Sequence, residues 1–169
     1  MAAEQHEEEV RREFERLVAA IDYPLYVVTT VSADGERSGC VVGFATQCSI
    51  EPSRYLIGLS VKNHTFRAAQ TAEYLAVHVL DRNEKELAEL FGGETGDEVD
   101  KFARCQWHEG PHRVPIVDGI DAWFVGRIVE RVDMGDHLGH IVEPVAAQAA
   151  PVDNLQFGEA KDIDAGHPA

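Results

Sequence analysis

Hydrophobic positions divide the chain into one long helical stretch followed by a series of short extended ones. Val10, Phe14, Leu17, Val18 and Ile21 recur at helical spacing behind an acidic first turn, which predicts an amphipathic helix lying across a flat surface and ended by Pro24. Leu25 to Thr30 is β-branched and aromatic, Asp34-Gly35 is a hairpin signal, and Ser38 to Phe44 resumes the extended pattern, so two antiparallel strands are expected. Gln47 to Ile50 is a shorter strand closed by Glu51-Pro52, and Tyr55 to Ser60 reads as a buried one. A helical stretch through Phe66, Ala68 and Ala69 leads to a strand from Leu75 to Leu80. Asn83 with Glu86 predicts a capping box for a helix carrying Leu87, Leu90 and Phe91 and stopped by Gly92-Gly93. Thr95 with Glu98 predicts a second such start, for a short helix across 95–104 that carries Val99, Phe102 and Ala103. Ile120 to Val132 is a long strand apolar on both faces, Met134-Gly135-Asp136 a turn, and His137 to Val145 the returning strand.

About six or seven strands with hairpin connections and short helices predict a mainly β fold, a small antiparallel Greek-key-like barrel. A strand apolar on both faces needs a second cover, which a homodimer supplies from the partner subunit. The domain is expected to span residues 1–150 including the N-terminal helix, with 151–169 a loosely held tail that Leu155 and Phe157 could anchor.

Charge narrows the partners. With 30 acidic and 15 basic residues the net charge is −15, opposite to the field a nucleic-acid binder relies on. No apolar run approaches the roughly 20 residues that cross a bilayer, and the acidic start is unlike a signal peptide, so no membrane association is expected. Three cysteines at no metal-ribbon spacing argue against a disulfide framework and fit a reducing cytoplasm. The acid is unevenly spread: residues 1–15 hold six acids and two bases, 81–100 eight and two, and 146–169 four and one. Residues 16–80 balance at five each, so the middle of the protein can host an anion.

Two stretches carry candidate chemistry. Ser60 through Phe66 joins a strand end to a helix start and clusters Lys62, Asn63 and Thr65, donors suited to a phosphate, though an ordinary cap beside a solvated lysine has the same pattern. Phe44 to Ser49 is small and polar between strands, fit either to meet the rim of a flat heteroaromatic ligand or to let a barrel turn. Cys105, His108 and His112 lack the paired-cysteine spacing of structural zinc, so no metal is expected. A hydrolase is disfavoured too: there is no Gly-x-Ser-x-Gly elbow, and Cys40 and Cys48 lie in apolar, strand-like runs. His137, at a hairpin end, is placed to orient a substrate or hold a proton near neutral pH.

In order along the chain, Tyr23-Pro24 before Val27-Val28-Thr29-Thr30, Gly43 to Pro52, Ser60 to Thr65, Asp100-Lys101-Phe102-Ala103 and Gly135-Asp136-His137 resemble the flavin reductase-like proteins of the FMN-binding split-barrel fold. The resemblance covers about residues 15–145. It implies a homodimeric split barrel that binds FMN, or exchanges FMN or FAD, and reduces it with NADH or NADPH. By matching position, Ala45, Thr46, Gln47 and Cys48 would line the isoalloxazine ring, with Thr29 and Thr30 beneath or beside it. Ser60, Lys62, Asn63 and Thr65 would hold the ribityl phosphate, His137 would meet the nicotinamide as the catalytic residue, and Phe102 would close over the site. The implied activity is hydride transfer from NAD(P)H to flavin, with reduced flavin passed to a monooxygenase. The alternative is a non-catalytic FMN-binding flavoprotein that exchanges electrons with another acceptor. Two departures stand out: Leu25-Tyr26 where many members have threonine-glycine, which sets a bulkier ring near the flavin, and Glu143-Pro144-Val145 where many have Gly-Glu-Val, which implies a strand end or free edge.

Overall fold

The run from Tyr26 to Thr30 does not alternate because both of its faces are covered, and all five residues are buried. Tyr26 and Val28 point into a core with Cys40, Val42, Ile57, Leu59, Leu75, Val77 and Val142. Leu25 and Val27 point the other way, into an outer layer with Leu80, Ala88, Phe91, Phe102, Val117 and Leu155. The structure, a computed structural model, describes residues 1–166.

Helix α1 (Ala2–Ala20) precedes strands β1 (Tyr26–Val31), β2 (Arg37–Val42), β3 (Ala45–Ser49) and β4 (Arg54–Ser60). Helix α2 (His64–Ala69), strand β5 (Tyr74–Val79) and helix α3 (Lys85–Gly93) follow. The small hairpin of β6 (Trp107–Glu109) and β7 (Pro115–Val117) leads to the long hairpin of β8 (Trp123–Asp133) and β9 (His137–Gln148). Seven strands form one antiparallel sheet in the order β2-β1-β5-β8-β9-β4-β3. Its two edge strands are consecutive in sequence, and β2 at one edge also touches β4 beside the other, so the sheet curls into the expected barrel.

Several local expectations are corrected. The capping box lies two residues earlier than expected: Asp81 accepts from Asn83 N, and Glu84 reaches back to Asp81 N, capping a 3₁₀ turn that runs into α3. No helix forms across 95–104, where the described structure is a turn and a single 3₁₀ turn over Lys101–Ala103 capped by Asp100. The reason is Lys101, drawn inward so that its Nζ donates to Gly39 O at 2.9 Å and Phe91 O at 2.8 Å. The second face of β8 has a cover within the same chain: Trp123 and Val125 pack against Val114 and Ile116 of the β6–β7 hairpin. Tyr26, expected near a ligand, lies in the barrel interior with its hydroxyl 2.9 Å from that of Tyr55. Pro144 does meet a free edge, since β4 pairs with β9 only as far as Val142.

The first end departs from expectation, and the last is held by the two residues expected to anchor it. The apolar row of α1 lies on no flat surface of this chain, and Phe14, Leu17 and Ile21 are each about 60% exposed. The segment after Pro151 is instead stitched in: Leu155 N donates to Leu80 O and its carbonyl accepts from Leu25 N, while Phe157 N donates to Tyr23 O. Leu155 is the buried anchor, and Phe157 stacks on Tyr23 at 4.9 Å. Among the described residues no helix is long and apolar enough to cross a membrane.

Two buried histidines tie stability to pH. His78 Nδ1 donates to Val27 O and its Nε2 accepts from Val117 N, which requires a neutral ring between β1 and β7. Burial pushes His78 down to about 4, and burial followed by the nearby Arg131 charge does the same to His140. Unfolded, both titrate near about 6.5. The unfolded chain therefore binds more protons between these values, so stability holds above about pH 6.5 and falls as pH drops toward 4, by about 3 kcal/mol per ring. Urea midpoints at pH 7.5, 6 and 4.5 should decline through that window; a constant midpoint would contradict the assignment.

Candidate functional site

The β4–β9 ladder ends by setting Ser60 directly opposite His137. Beyond that pair both chains turn, and the turns are tied together by Val61 N donating to Asp136 O at 3.0 Å. Asn63 N donates to Ser60 O, and the Asn63 side chain accepts from Thr65 N at 2.8 Å, capping α2. His137 Nδ1 lies 2.7 Å from Asp136 Oδ1. That hydrogen bond and the charge of His137, with a smaller contribution from Lys62, hold the Asp136 carboxyl below the usual carboxylate range.

An aromatic series runs from this corner. His137 lies 4.8 Å from Phe44, Phe44 lies 6.3 Å from Tyr23, and Tyr23 stacks on Phe157. Together with Ser60 and Asn63 these rings line a cavity of about 250 Å³. Ile163 and Ala165, from the segment expected to be a loose tail, supply part of its wall. Such a lining, mostly apolar with a few convergent polar groups, suits a planar organic ligand.

The chain leaves the cavity at Phe44 and enters β3, an edge strand whose ladder partner is β4. Thr46, Gln47 and Cys48 are exposed there, Ala45 is half-buried, and the register shifts between Gln47 and Ser49. The stretch is thus an irregularity in the barrel, and as an edge strand it leaves one side of its backbone without a neighbouring strand.

The expected site residues thus separate. Ser60, Asn63 and His137 share the cavity, exposed Lys62 lies between them in sequence and close to Asp136, and Ala45 to Cys48 extend from its rim. Thr29, Thr30, Thr65 and Phe102 are buried away from it. Thr29 Oγ1 donates to Pro115 O, Thr30 Oγ1 donates to Tyr74 O at 2.8 Å, and the Thr65 hydroxyl is 2.9 Å from that of Ser38. Phe102 packs edge-on to Phe91 and Trp107 in the outer core, held there because Lys101 is anchored inward. Burial pushes the Lys101 ammonium below the usual lysine range and the Cys40 thiol up. Tyr23 and Phe157 were not among the expected site residues: no spacing rule brings a residue at 157 back to one at 23.

A family model described as a flavin reductase like domain matches residues 18–158. The reductase component of the flavin-dependent trigonelline monooxygenase of Acinetobacter baylyi is 27% identical over 66% of this chain, which spans only 35% of that protein. The NADH-dependent FMN reductase RutF of Ancylobacter novellus is 29% identical over 77% of this chain and 68% of its own length. Among solved structures, a flavin reductase domain protein from an Arthrobacter species superposes with a TM-score of 0.78 at 21% identity, covering 94% of this chain and 96% of its own.

The cap at Asn63 can be measured in the absence of any ligand. Asn63→Ala should cost about 1 kcal/mol of unfolding free energy, measured in urea, while Asn63→Asp retains most of it; equal losses in the two variants would show that the side chain does not cap α2.

Proposed function

Because this chain belongs to the flavin reductase like domain family, we propose that it is a reductase transferring hydride from NADH or NADPH to a flavin, FMN or FAD, and supplying the reduced flavin to a monooxygenase component. The observation that carries the reading is the meeting of Ser60, Asn63 and His137, three residues expected from sequence, in one aromatic-lined cavity beside an open strand edge. The residues fit such a ligand: flat faces from Phe44 and Tyr23, backbone donors and acceptors along Ala45 to Cys48, and a cation at Lys62 beside Ser60 and Asn63 for a phosphate.

A bound flavin supplies the hydride-accepting ring, and this chain's residues have the tasks of holding and shielding it. Ser60, Lys62 and Asn63 would bind the phosphate, and the β3 edge would orient the ring. The Thr65 hydroxyl is turned to that of Ser38 on β2 and ties α2 to the sheet. Phe44 and Tyr23 exclude water from one side. His137, steadied at Nδ1 by Asp136, presents its other ring nitrogen to whatever stacks against Phe44. A homodimer is part of the proposal, supported by the uncovered row of α1 from Val10 to Ile21.

Purified protein mixed anaerobically with FMN and either nucleotide should bleach the flavin; flavin that stays oxidised with both nucleotides would sink the reductase reading and leave an electron-transfer flavoprotein. His137→Ala should spare FMN affinity while slowing reduction by about tenfold or more; equal rates would make the histidine structural. Lys62→Glu should weaken FMN binding by about tenfold, the value of a charge-assisted contact, read by quenching of flavin fluorescence; unchanged affinity would move the phosphate elsewhere.

A further inference from the structure

Gly58 and Gly139 are cross-strand partners on β4 and β9, and what lies over them is the side chain of Met134. A Cβ at Gly58 would stand 2.9 Å from Met134 Cε and 3.2 Å from Phe44 Cβ. A Cβ at Gly139 would stand 2.9 Å from Leu56 Cδ1 and 3.0 Å from Met134 Sδ. The two glycines leave a flat apolar slot that the thioether fills, while the residue remains 40% exposed. Met134 belongs to the turn that carries His137, since its N–H donates to His137 O at 3.0 Å, and the slot shares Gly58 and Phe44 with the ligand cavity. The chain holds two methionines, Met1 and Met134, so this is the single internal thioether.

We infer that Met134 is an oxidative modification site whose conversion to the sulfoxide by hydrogen peroxide dislodges the turn bearing His137. The source of the peroxide rests on the reductase reading; the site itself does not. Dioxygen that meets the reduced flavin product takes two electrons and two protons from it and becomes hydrogen peroxide. A lone pair on Met134 Sδ then attacks one peroxide oxygen, the O–O bond breaks as the S–O bond forms, and the departing hydroxide gains the proton and leaves as water. The thioether becomes a sulfoxide, polar and tetrahedral at sulfur. The atoms nearest the two glycines, from Leu56, Phe44 and the Val132 carbonyl, are already at contact distance and include no donor, so the new oxygen is better satisfied in water than in the slot. The side chain leaves the slot, and the Met134–His137 turn loses its packing over β4.

The test has two arms. In the first, the full chain is treated with hydrogen peroxide and then dithiothreitol, which restores reversibly oxidised Cys48 and Cys105 but not a methionine sulfoxide. Peptide mass spectrometry should find one added oxygen on Met134, amide exchange at residues 134–137 should quicken, and nicotinamide-driven flavin reduction should fall by about tenfold. Methionine sulfoxide reductase should restore both exchange and rate, and Met134→Leu should keep its own starting rate and exchange through the same treatment. Recovery with dithiothreitol alone, oxidation confined to Met1, or an oxidised Met134 with unchanged exchange would each overturn the inference. In the second arm, protein turning over NADH and FMN in air should gain oxygen at Met134 and be protected by catalase. If no flavin is reduced, the reductase reading fails while the mass and exchange results of the first arm still decide the site; if flavin turns over in air and Met134 stays unmodified, the product is not its oxidant and that part of the inference falls.

Discussion

The pairing of β4 with β9 is the constraint on which the site depends. Its ladder runs from Tyr55 opposite Val142 to Ser60 opposite His137, and every residue along it has one face committed to the barrel core or the exterior. Ile57 and Leu59 are fully buried, which fixes the register by the cost of moving them to water, about 2 kcal/mol each. A slip of one residue would send them outward and carry Ser60 and His137 to the wrong face. The position of the polar corner is therefore set by buried apolar residues of the barrel, one of which, Leu59, also lines the cavity.

Much of the fold was legible because it is written in local patterns. The uninterrupted run around Val27 and Val28, the Asp34-Gly35 turn and the Met134 to His137 hairpin all appear where the residues suggest. Thr95 and Glu98 have the right letters for a helix start, yet the preference of Lys101 for two buried carbonyls outweighs a capping box worth about 1 kcal/mol. The same tertiary pull explains why Phe102 is a core residue. Of the site, Ser60, Asn63 and His137 could be read from strand ends and turns. Thr29 and Thr30 could not be assigned a face from sequence, since a strand covered on both sides offers no alternation to read. Phe157 could be read as an anchor of its segment but not as part of the cavity, because its partner Tyr23 is remote in sequence.

The charge distribution follows the same division. The acids of α1 and most of those in residues 81–100 lie on exposed surface, some of those on α1 in short-range pairs such as Arg11 with Glu8 and Arg16 with Glu13. Such pairs contribute little to stability. Inside, the chain relies on groups kept neutral or capped: His78 bridging two layers and Lys101 holding two carbonyls. The surface charge governs encounters with other molecules, and the interior polar groups govern which arrangement of layers is adopted.

The wall of the cavity formed by Phe157, Ile163 and Ala165 has a consequence for how the protein comes into being. The strands it covers are made early: β1, β2 and β4 are complete by residue 60. During synthesis the barrel can begin to assemble with one side of its ligand cavity still open, and the side closes only when a segment about a hundred residues later emerges and hydrogen-bonds to Leu25, Leu80 and Tyr23. A planar ligand that arrived before residues 155–165 had been made would find an unfinished cleft, so competence to hold it waits on that segment and on the layer of core that Leu155 completes.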